Sequence, residues 1–463
     1  MRLGPRSLRR VRASDRPKRL PRWRELDPQQ RRHYTWWGVL FFAIGVLATA
    51  SVLLTLFSPF GQRADRLYAT ARPPVGSPDF LAAVSGATNS PLRRGGTAQL
   101  LSNGVRFAPA LLRDLRAARH SIDFMVYIWE PGRTSDSVLA VLVERARAGV
   151  QVRVALDGMG AMNAPDEGFR ALRAAGGRVA RFHPLRFGEL TRFHKRNHRR
   201  AIVVDGEVGY TGGAAVGDKW LGDARTPDEW REDMVRVTGP PARSLQAAFA
   251  QTWSVTTGEI LAGPAFYPPE PEAAEAPGHP LSVHVGVLSS PSDEQLPLRK
   301  VFWLSFASAR RRLYVTNAYF VPDHGLLAAL KERARAGVDV RVLVPGSVTD
   351  AKPVRWAGQA HYEELLAAGV RIYEYQGTML HTKTLVADGM WSVVGSSNLD
   401  IRSMELNQEN VLGIFDAGFG AQVERTFLAD LGRAREVRLE EWRRRPWYKR
   451  LRERGAELFD EQF

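Results

Sequence analysis

An internal repeat is the most informative feature of this sequence of 463 residues. Residues 144–154 read ERARAGVQVRV and residues 332–342 read ERARAGVDVRV, so 10 of 11 positions agree at an offset of 188 residues. Each copy has the pattern of an amphipathic helix that ends at a glycine, Gly149 or Gly337, and continues into a strand. The sequence therefore predicts the same helix-to-strand unit at two places in the chain.

The repeat extends beyond these eleven residues in both directions. A β-rich run precedes each copy and a further helix-to-strand step follows it, at residues 121–129, 313–321, 172–182 and 365–375. Strands that alternate with helices predict an α/β fold with a mostly parallel sheet, here built twice. Two copies are too few for a solenoid, so the pattern favours two halves related by a pseudo-twofold axis.

A change of composition separates the two halves. Residues 263–280, GPAFYPPEPEAAEAPGHP, are rich in Pro, Ala and Glu and lack apolar periodicity, which is typical of a linker. We therefore expect a first half at residues 95–262 and a second half at residues 281–463.

Composition also narrows the chemistry. The chain has no cysteine, which excludes disulfides, thiolate zinc sites and cysteine nucleophiles. Its net charge of +16 favours partners that carry phosphate, such as nucleic acid, anionic lipid or phosphorylated substrates. Residues 1–34 contain 12 Lys and Arg against 3 Asp and Glu, so much of the positive charge lies at the N-terminus.

The segment that follows is strongly apolar. Residues 36–57, WWGVLFFAIGVLATASVLLTLF, form a run of 22 residues without a charge. A helix needs about 20 such residues to cross a bilayer, so we expect one transmembrane helix here. The alternative is a signal peptide cleaved near residues 69–71, but its apolar region would be only about 7–15 residues long. The basic residues 1–35 are predicted to be cytoplasmic, with residues 58–94 as a linker on the other side.

A second pair of related segments carries candidate chemistry. Residues 193–213 read FHKRNHRRAIVVDGEVGYTGG and residues 381–400 read HTKTLVADGMWSVVGSSNLD. An offset of 183 residues aligns His198 with His381, Arg200 with Lys383, Asp205 with Asp388 and Gly212 with Gly395. His194 has no counterpart, so it is expected to form a solvent-facing cationic rim with Lys195, Arg196 and Arg199.

The spacing within these segments has a physical meaning. Residues i and i+2 of a strand share a face, so each histidine is expected to point the same way as the cation two residues later. Asp205 and Asp388 fall on the opposite face and are expected to anchor the strand or its turn. The turns that follow could cradle an anionic oxygen with their amides and hydroxyls; they contain Gly212, Gly213, Ser396, Ser397 and Asn398. Together the halves would form a site for one phosphate between two histidines.

The pattern H-x-K-x4-D, present twice and followed each time by a Gly/Ser turn, resembles the signature of the phospholipase D superfamily. Within it the segments YIWEPG (127–132), AYFVPD (318–323) and GSSNLDIRSMELNQEN (395–410) are similar to bacterial cardiolipin synthases, and the resemblance covers about residues 95–450. It implies two fused phospholipase D-like α/β-sandwich halves after the N-terminal transmembrane helix.

The resemblance also implies roles for individual residues. His198 would be the nucleophile that forms a phosphohistidine, and His381 would be the general acid and base. Lys383, Arg200 and Asn398 would neutralise the non-bridging phosphate oxygens, with no metal and no cofactor. Carboxylates downstream of each motif would hold the imidazoles, and the positions that match the family are Asp233 and Glu405.

The first half departs from the family pattern at two positions. Arg200 stands where the pattern has lysine, and its planar fork does not place donors as an ammonium does. Ala215 stands where the second half has Asn398, so one amide is missing. These departures are compatible with three alternatives. The first half is inactive, the enzyme works at a lower rate, or another polar group takes the place of the missing amide.

The resemblance implies a membrane-bound enzyme of the bacterial inner membrane, with anionic phospholipid as its partner. Two phosphatidylglycerol molecules would yield cardiolipin and glycerol. Phosphatidylethanolamine as the second lipid, water in its place, or a nuclease activity are alternatives within the same chemistry, although no nucleic-acid partner is expected. A basic, membrane-tethered binding protein without activity is the alternative from another class, and two histidines in matched register argue against it.

Overall fold

The computed structural model describes residues 27–56, 67–184, 194–269, 282–291 and 295–457. The helices are α1 (Pro28–Leu56), α2 (Pro78–Thr88), α3 (Gly104–Ala117), α4 (Arg133–Arg147), α5 (Asp166–Ala174), α6 (Ala242–Thr257), α7 (Pro297–Ser308), α8 (His324–Arg335), α9 (Lys352–Ala360), α10 (Tyr362–Ala367), α11 (Ala417–Leu431), α12 (Leu439–Arg443) and α13 (Trp447–Glu457). The strands are β1 (Leu92–Arg94), β2 (Thr97–Ser102), β3 (Ser121–Val126), β4 (Gln151–Asp157), β5 (Arg178–Phe182), β6 (Ala201–Val204), β7 (Val208–Gly212), β8 (Asp233–Thr238), β9 (Val283–Ser289), β10 (Arg312–Asn317), β11 (Asp339–Pro345), β12 (Arg371–Tyr375), β13 (Lys383–Ala387), β14 (Trp391–Gly395), β15 (Glu409–Phe415) and β16 (Ala434–Val437).

The chain divides into two compact units, Met1–Gln62 and Arg63–Phe463. The described part of the N-terminal unit is helix α1, and its large apolar side chains between Trp36 and Leu47 are exposed. Among the described helices, none combines the length and hydropathy that crossing a bilayer demands.

The larger unit contains two sheets that repeat one strand order. The first sheet runs β2-β8-β7-β6-β3-β4-β5, and the second runs β9-β15-β14-β13-β10-β11-β12 with β1 and β16 added at its edges. The expected α/β fold in two halves is therefore confirmed. The expectation of mostly parallel sheets is wrong, because only β3-β4-β5 and β10-β11-β12 pair in parallel. Tight turns join β6 to β7 and β13 to β14, and such turns connect antiparallel neighbours.

The helix-to-strand repeat forms as predicted at α4–β4 and α8–β11. Gly149 and Gly337 follow the two helices with φ values of +87° and +86°, in the left-handed region that favours glycine. The amide of the next residue, Val150 or Val338, donates 3.0 Å and 3.1 Å hydrogen bonds to carbonyls in the last turn. The chain can then reverse into a strand without leaving these helix carbonyls unsatisfied.

One hydrophobic cluster joins the inner faces of both sheets with α6 and α11. Helix α6 packs on β6 and β7 of its own half and on β9 of the other, and α11 packs on β13 and on β2. These reciprocal contacts are those that a pseudo-twofold relation predicts. A further cluster lies on the outer side of each sheet, so each half is a sandwich of helices around a sheet.

The two segments expected as linkers are partly folded. Within residues 58–94, β1 pairs with β9 of the second half, and α2 buries Phe80 edge-to-face against Trp391. These elements are too short to show periodicity, although Ser77 caps α2. Within residues 263–280, Phe266 is buried beneath the Arg153 guanidinium, and residues 270–280 lie outside the described residues.

Candidate active site

Two histidines approach each other from opposite halves. His198 precedes β6 and His381 precedes β13, and a short cross-half bridge holds each of them. The backbone N–H of His198 donates to Gln408 O at 2.9 Å, and that of His381 donates to Arg231 O at 2.8 Å. Burial and the charges of Arg200 and Lys383 lower the pKa of both imidazoles, so the two histidines share one electrostatic environment.

Each imidazole contacts a carboxylate that belongs to the other half. Nδ1 of His198 lies 2.6 Å from Oε1 of Glu409, and Nδ1 of His381 lies 2.5 Å from Oε2 of Glu232. Both glutamates are fully buried. A carboxylate at Nδ1 fixes the orientation of the ring and stabilises its protonated form. In each pair Nε2 is the ring nitrogen that remains for a substrate.

These carboxylates differ from the expected Asp233 and Glu405. Asp233 is the first residue of β8, and its two oxygens accept hydrogen bonds of 2.8 Å and 3.0 Å from Arg231. Because neighbouring strand residues point to opposite faces, Glu232 rather than Asp233 faces the histidine. Glu405 lies in a π-helical turn, Arg402–Leu406, before the strand that carries Glu409.

The missed glutamates did leave a signal in the sequence. EDMV at residues 232–235 aligns with ENVL at residues 409–412, which are the starts of equivalent strands in the two sheets. Matching those strands, instead of counting from the histidines, pairs Glu232 with Glu409. Neither segment indicates that each histidine contacts the glutamate of the other half.

Arg200 and Lys383 are both buried, and each contacts the carbonyl of the histidine two residues before it. Arg200 Nη1 donates to His198 O at 2.8 Å, and Lys383 Nζ donates to His381 O. Arg200 Nε and Nη2 and Asn398 Oδ1 are buried without a hydrogen-bond partner within the described part of the chain. Buried donors are rarely left unpaired, so two Arg200 donors remain for an anion.

Asp205 and Asp388 do not face the histidines, although they belong to the same motif. Asp205 accepts hydrogen bonds of 2.7–3.2 Å from the amides of residues 119–121, and Asp388 accepts bonds of 2.8–3.0 Å from residues 310–312. Both have left-handed backbones, with φ of +53° and +56°. They bind the backbone at the starts of β3 and β10, which is the anchoring role expected from their strand face.

The turns after the motif strands differ between the halves. Ser396 Oγ donates to Glu409, whereas a Cβ at Gly213 would collide with the carboxylate of Glu232. Ser397 Oγ donates to Asn398 O at 3.0 Å. These hydroxyls therefore serve protein acceptors and not the anion expected from the sequence. Gly212, equivalent to Gly395, has a φ of +148° and packs against β8.

Ala215, the residue equivalent to Asn398, has an apolar side chain and apolar surroundings. Ala215 lines a cavity of about 170 Å³ together with Phe124, Met234 and other mostly apolar residues. The first half therefore supplies its histidine and its arginine to the site without an amide.

The predicted cationic rim is wrong for two of its four residues. His194 is exposed and Lys195 is half-buried, but Arg196 and Arg199 are buried. Arg199 donates to Ala248 O at 3.1 Å, to Ser289 O at 2.7 Å and to Glu409 O at 3.3 Å. A buried guanidinium is tolerated when carbonyls surround it, and this one joins α6 of the first half to two strands of the second.

The His198–Glu409 pair carries one negative charge at neutral pH, for the following reasons. Burial, together with Arg200, lowers the pKa of His198 to about 4. Burial opposes the ionisation of Glu409, but His198, Arg200 and Ser396 together outweigh it, and the pKa of this carboxyl is lowered. At neutral pH the imidazole is therefore neutral beside a carboxylate. With Nδ1–H directed at Glu409, the Nε2 lone pair is available.

The His381–Glu232 pair differs in that Glu232 faces Gly213, at the position where Glu409 accepts a hydrogen bond from Ser396. Burial raises the pKa of Glu232 to about 8. Burial, Lys383 and Arg200 lower the pKa of His381 well below its usual value. This pair therefore keeps one proton at neutral pH, shared between a carboxyl and an imidazole at 2.5 Å. Burial also lowers the pKa of Lys383 to about 8.

Aromatic rings surround His381. The ring centroids of Trp230, Trp220 and Tyr319 lie 5.1, 5.9 and 6.3 Å from that of the imidazole. Trp230 also lines an open cavity of about 680 Å³, together with Lys219 and acidic residues of the loop before β8. The ring centroid of Tyr127 lies 4.9 Å from that of His198.

The comparison with known proteins agrees with this geometry. A family model described as "Cardiolipin synthase, PLD-like domain" matches residues 111–253 and 305–431. A cardiolipin synthase of Geobacillus kaustophilus is 34% identical over 360 residues, 78% of this chain and 71% of the relative. Cardiolipin synthase A of Cronobacter sakazakii is 35% identical over 372 residues, 78% of this chain and 74% of the relative.

A solved structure shows the same fold at low sequence identity. The crystal structure of a phosphatidylserine synthase from Haemophilus influenzae superposes with a TM-score of 0.65 and 13% identity. The match covers 83% of this chain and 100% of that protein.

Proposed function

This chain belongs to the cardiolipin synthase family of phospholipase D-like enzymes, and we propose that it joins two phosphatidylglycerol molecules into cardiolipin with release of glycerol. The observation that carries the proposal is the pair of buried imidazole–carboxylate contacts, His198 with Glu409 and His381 with Glu232. With one imidazole as nucleophile and the other as acid and base, the exchange of a phosphodiester can proceed as two successive substitutions at phosphorus.

In the first substitution, Nε2 of neutral His198 attacks the phosphorus of one phosphatidylglycerol. The bond from phosphorus to the glycerol headgroup oxygen breaks, and His381 donates the proton that this oxygen needs to leave as glycerol. A phosphatidyl group then remains on His198. The low pKa of His198 and the proton held by the His381–Glu232 pair support this assignment of roles.

In the second substitution, the headgroup hydroxyl of another phosphatidylglycerol loses its proton to His381. Its oxygen attacks phosphorus, the bond between phosphorus and His198 breaks, and cardiolipin is released. One phosphodiester is made for each one consumed. Neutral His198 and the protonated His381–Glu232 pair are restored.

Charge on the non-bridging phosphate oxygens would be balanced by protein groups. Arg200 supports this role with two buried donors that have no hydrogen-bond partner among the described residues, and Lys383 with its ammonium beside both imidazoles. Donors fixed before the reaction stabilise the developing charge without reorganisation. Asn398 would place its amide on the second-half side of the same phosphate.

The surroundings of His381 favour transfer to an alcohol over hydrolysis. His381 would take the proton from the acceptor hydroxyl, and Trp220, Trp230 and Tyr319 surround its ring. Aromatic walls reduce the water beside the imidazole that would activate the acceptor. A lipid alcohol delivered from a membrane does not depend on that water.

Residues 36–57 are proposed to anchor the enzyme in the membrane, with the basic N-terminus in the cytoplasm. The 22 residues without a charge and the exposed apolar side chains of α1 support the anchor. The excess of Lys and Arg in residues 1–34 supports the orientation. Protease digestion of sealed inner-membrane vesicles would show which side carries residues 63–463.

The reaction is tested with purified full-length protein in mixed micelles. Phosphatidylglycerol is labelled separately in its acyl chains and in its headgroup glycerol. We expect equal amounts of cardiolipin and free glycerol from wild type, and neither from His198→Ala or His381→Ala. Phosphatidic acid as the sole lipid product would identify a hydrolase, and cardiolipin formed with release of ethanolamine after addition of phosphatidylethanolamine would identify a broader range of phosphatidyl donors.

A further inference from the structure

The outward face of helix α13 is unusually apolar for an exposed surface. Trp447, Tyr448 and Leu451 are 74%, 56% and 64% exposed. At about 100° per residue they fall within an arc of roughly 100° on one side of the helix. A contiguous exposed group of large apolar side chains marks an interaction surface.

The opposite side of α13 is packed against the second half. Glu453 is buried and its Oε2 accepts a 2.6 Å hydrogen bond from Arg445. The Arg452 guanidinium lies 4.3 Å from the centre of the Trp356 ring, on α9. Ala456 packs against a small cluster formed by α9 and its neighbours. These contacts hold α13 with its apolar side outward.

Cations flank the apolar side chains. Arg450 and Arg454 lie on one side of the apolar arc and Arg452 lies on the other, and all three are exposed. Of the two acidic residues of α13, Glu453 is buried on the packed side and Glu457 is half-buried at the C-terminal end of the helix. Aromatic and apolar side chains bordered by Arg and Lys are typical of helices that lie in the interface of an anionic bilayer.

The helix is also close to the candidate active site. Ala456 and Tyr319 pack against the same cluster of Val321, Val354 and Ala357. The Tyr319 ring lies 6.3 Å from that of His381 and 6.0 Å from Lys383 Nζ. A surface that binds at α13 would therefore lie beside the His381 side of the site.

We propose that the outward face of α13 docks the larger unit onto an anionic lipid bilayer, with Trp447, Tyr448 and Leu451 in the interface and the arginines at the headgroups. This surface is separate from the catalytic groups and does not depend on the reaction proposed above. It binds the membrane in which the substrates lie and orients the His381 side of the site towards it.

The absence of cysteine from the sequence permits a local test. Full-length Leu451→Cys carries an environment-sensitive NBD fluorophore and is reconstituted into nanodiscs of phosphatidylcholine, with or without phosphatidylglycerol. We expect a blue shift and quenching by lipid-borne nitroxide in the anionic discs, with protection from aqueous iodide. A label at Arg173→Cys, on exposed α5 of the first half, is the matched control and should remain accessible to iodide.

Charge removal tests the electrostatic part of the proposal. Arg450→Gln with Arg454→Gln should weaken docking about 25-fold, because each cation near an anionic surface contributes about fivefold to binding. High salt should have a similar effect. A label at position 451 that iodide reaches equally in both disc types would overturn the proposal. Protection that rises with protein concentration in detergent, without anionic lipid, would also overturn it by identifying a second copy as the occupant.

The same labelled chain carrying His198→Ala separates docking from catalysis. It should dock as the parent does while forming no cardiolipin. Loss of docking in an otherwise active enzyme would refute only the role of α13, and docking without activity in the parent would refute only the proposed reaction.

Discussion

Nδ1 of His198 lies 2.6 Å from Oε1 of Glu409, a residue 211 positions further along the chain and in the other half of the fold. The contact orients Nε2 of the candidate nucleophile. Glu409→Gln keeps the shape but replaces the acceptor by an amide, so the favoured tautomer is lost. We expect kcat to fall by about 10²–10⁴-fold. Glu405→Gln is the matched control and should stay within about threefold; equal losses would contradict the assignment.

The roles of the two histidines can be separated by trapping the covalent intermediate. A phosphatidyl ester with an activated leaving group needs no proton from an acid, so His381→Ala should still form an adduct with it. His198→Ala should form none. Acid-labile, alkali-stable label retained on the protein and mapped to residue 198 by mass spectrometry is the measurement. Label at residue 381 in His198→Ala would reverse the order.

Arg200 stands where the family pattern has lysine, and its Nε and Nη2 have no hydrogen-bond partner within the described residues. Arg200→Ala should lower kcat/KM by about 10²–10³-fold, the usual effect of losing a donor to transition-state charge. Arg200→Lys keeps the charge with different geometry and should lose less. Steady-state kinetics with phosphatidylglycerol micelles would decide. Wild-type activity in Arg200→Ala would mean that the first half contributes no charge.

The pH profile should have an alkaline limb near pH 8. Burial raises the pKa of Glu232 to about 8, so the proton of the His381–Glu232 pair is lost as pH rises. Burial lowers the pKa of Lys383 to about 8, so its charge is lost in the same range. The slope of log kcat/KM should approach about −2, and about −1 in Lys383→Arg. On the acid side, activity should fall as His198 is protonated towards pH 4.

Asp205 should matter for stability and not for chemistry. Its carboxylate accepts bonds from three backbone amides at the start of β3, and removing it leaves the buried amide of Ser121 without this partner, while the exposed amides of Arg119 and His120 can bond water. We expect Asp205→Ala to lower the free energy of unfolding by about 1–3 kcal/mol. Urea titration measures this, and kcat per folded molecule should stay near wild type. A large loss of kcat in fully folded protein would instead show that Asp205 contributes to catalysis.

Sequence reasoning succeeded where the evidence lay within one segment. The repeat predicted the α4–β4 and α8–β11 steps, and the 183-residue offset identified the two histidines that the structure brings together. Strand alternation correctly predicted that Asp205 and Asp388 face away from them. Each of these inferences needed only local periodicity and comparison of the chain with itself.

It failed where a side chain's environment is set by a distant part of the chain. Arg199 was expected in solvent, but three carbonyls from α6, β9 and β15 surround its guanidinium. Glu232 and Asp233 are adjacent, and counting from the histidines within one half does not distinguish them, whereas the contact of Glu232 with His381 from the other half does. The strand β1 consists of three residues whose partner, β9, begins almost 190 residues later.

The crossed contacts mean that neither half contains a complete site. A half alone would have a histidine without its carboxylate and a carboxylate without its histidine. Two copies of one half around a twofold axis would complete both pairs at once, because an isologous interface exchanges the same groups in both directions. The fused chain makes that exchange intramolecular, so its halves are free to diverge, as Gly213 and Ser396 have, while remaining obligate complements. If the chain were severed between its halves, activity would therefore return only when both fragments are combined, and it would then depend on their concentration.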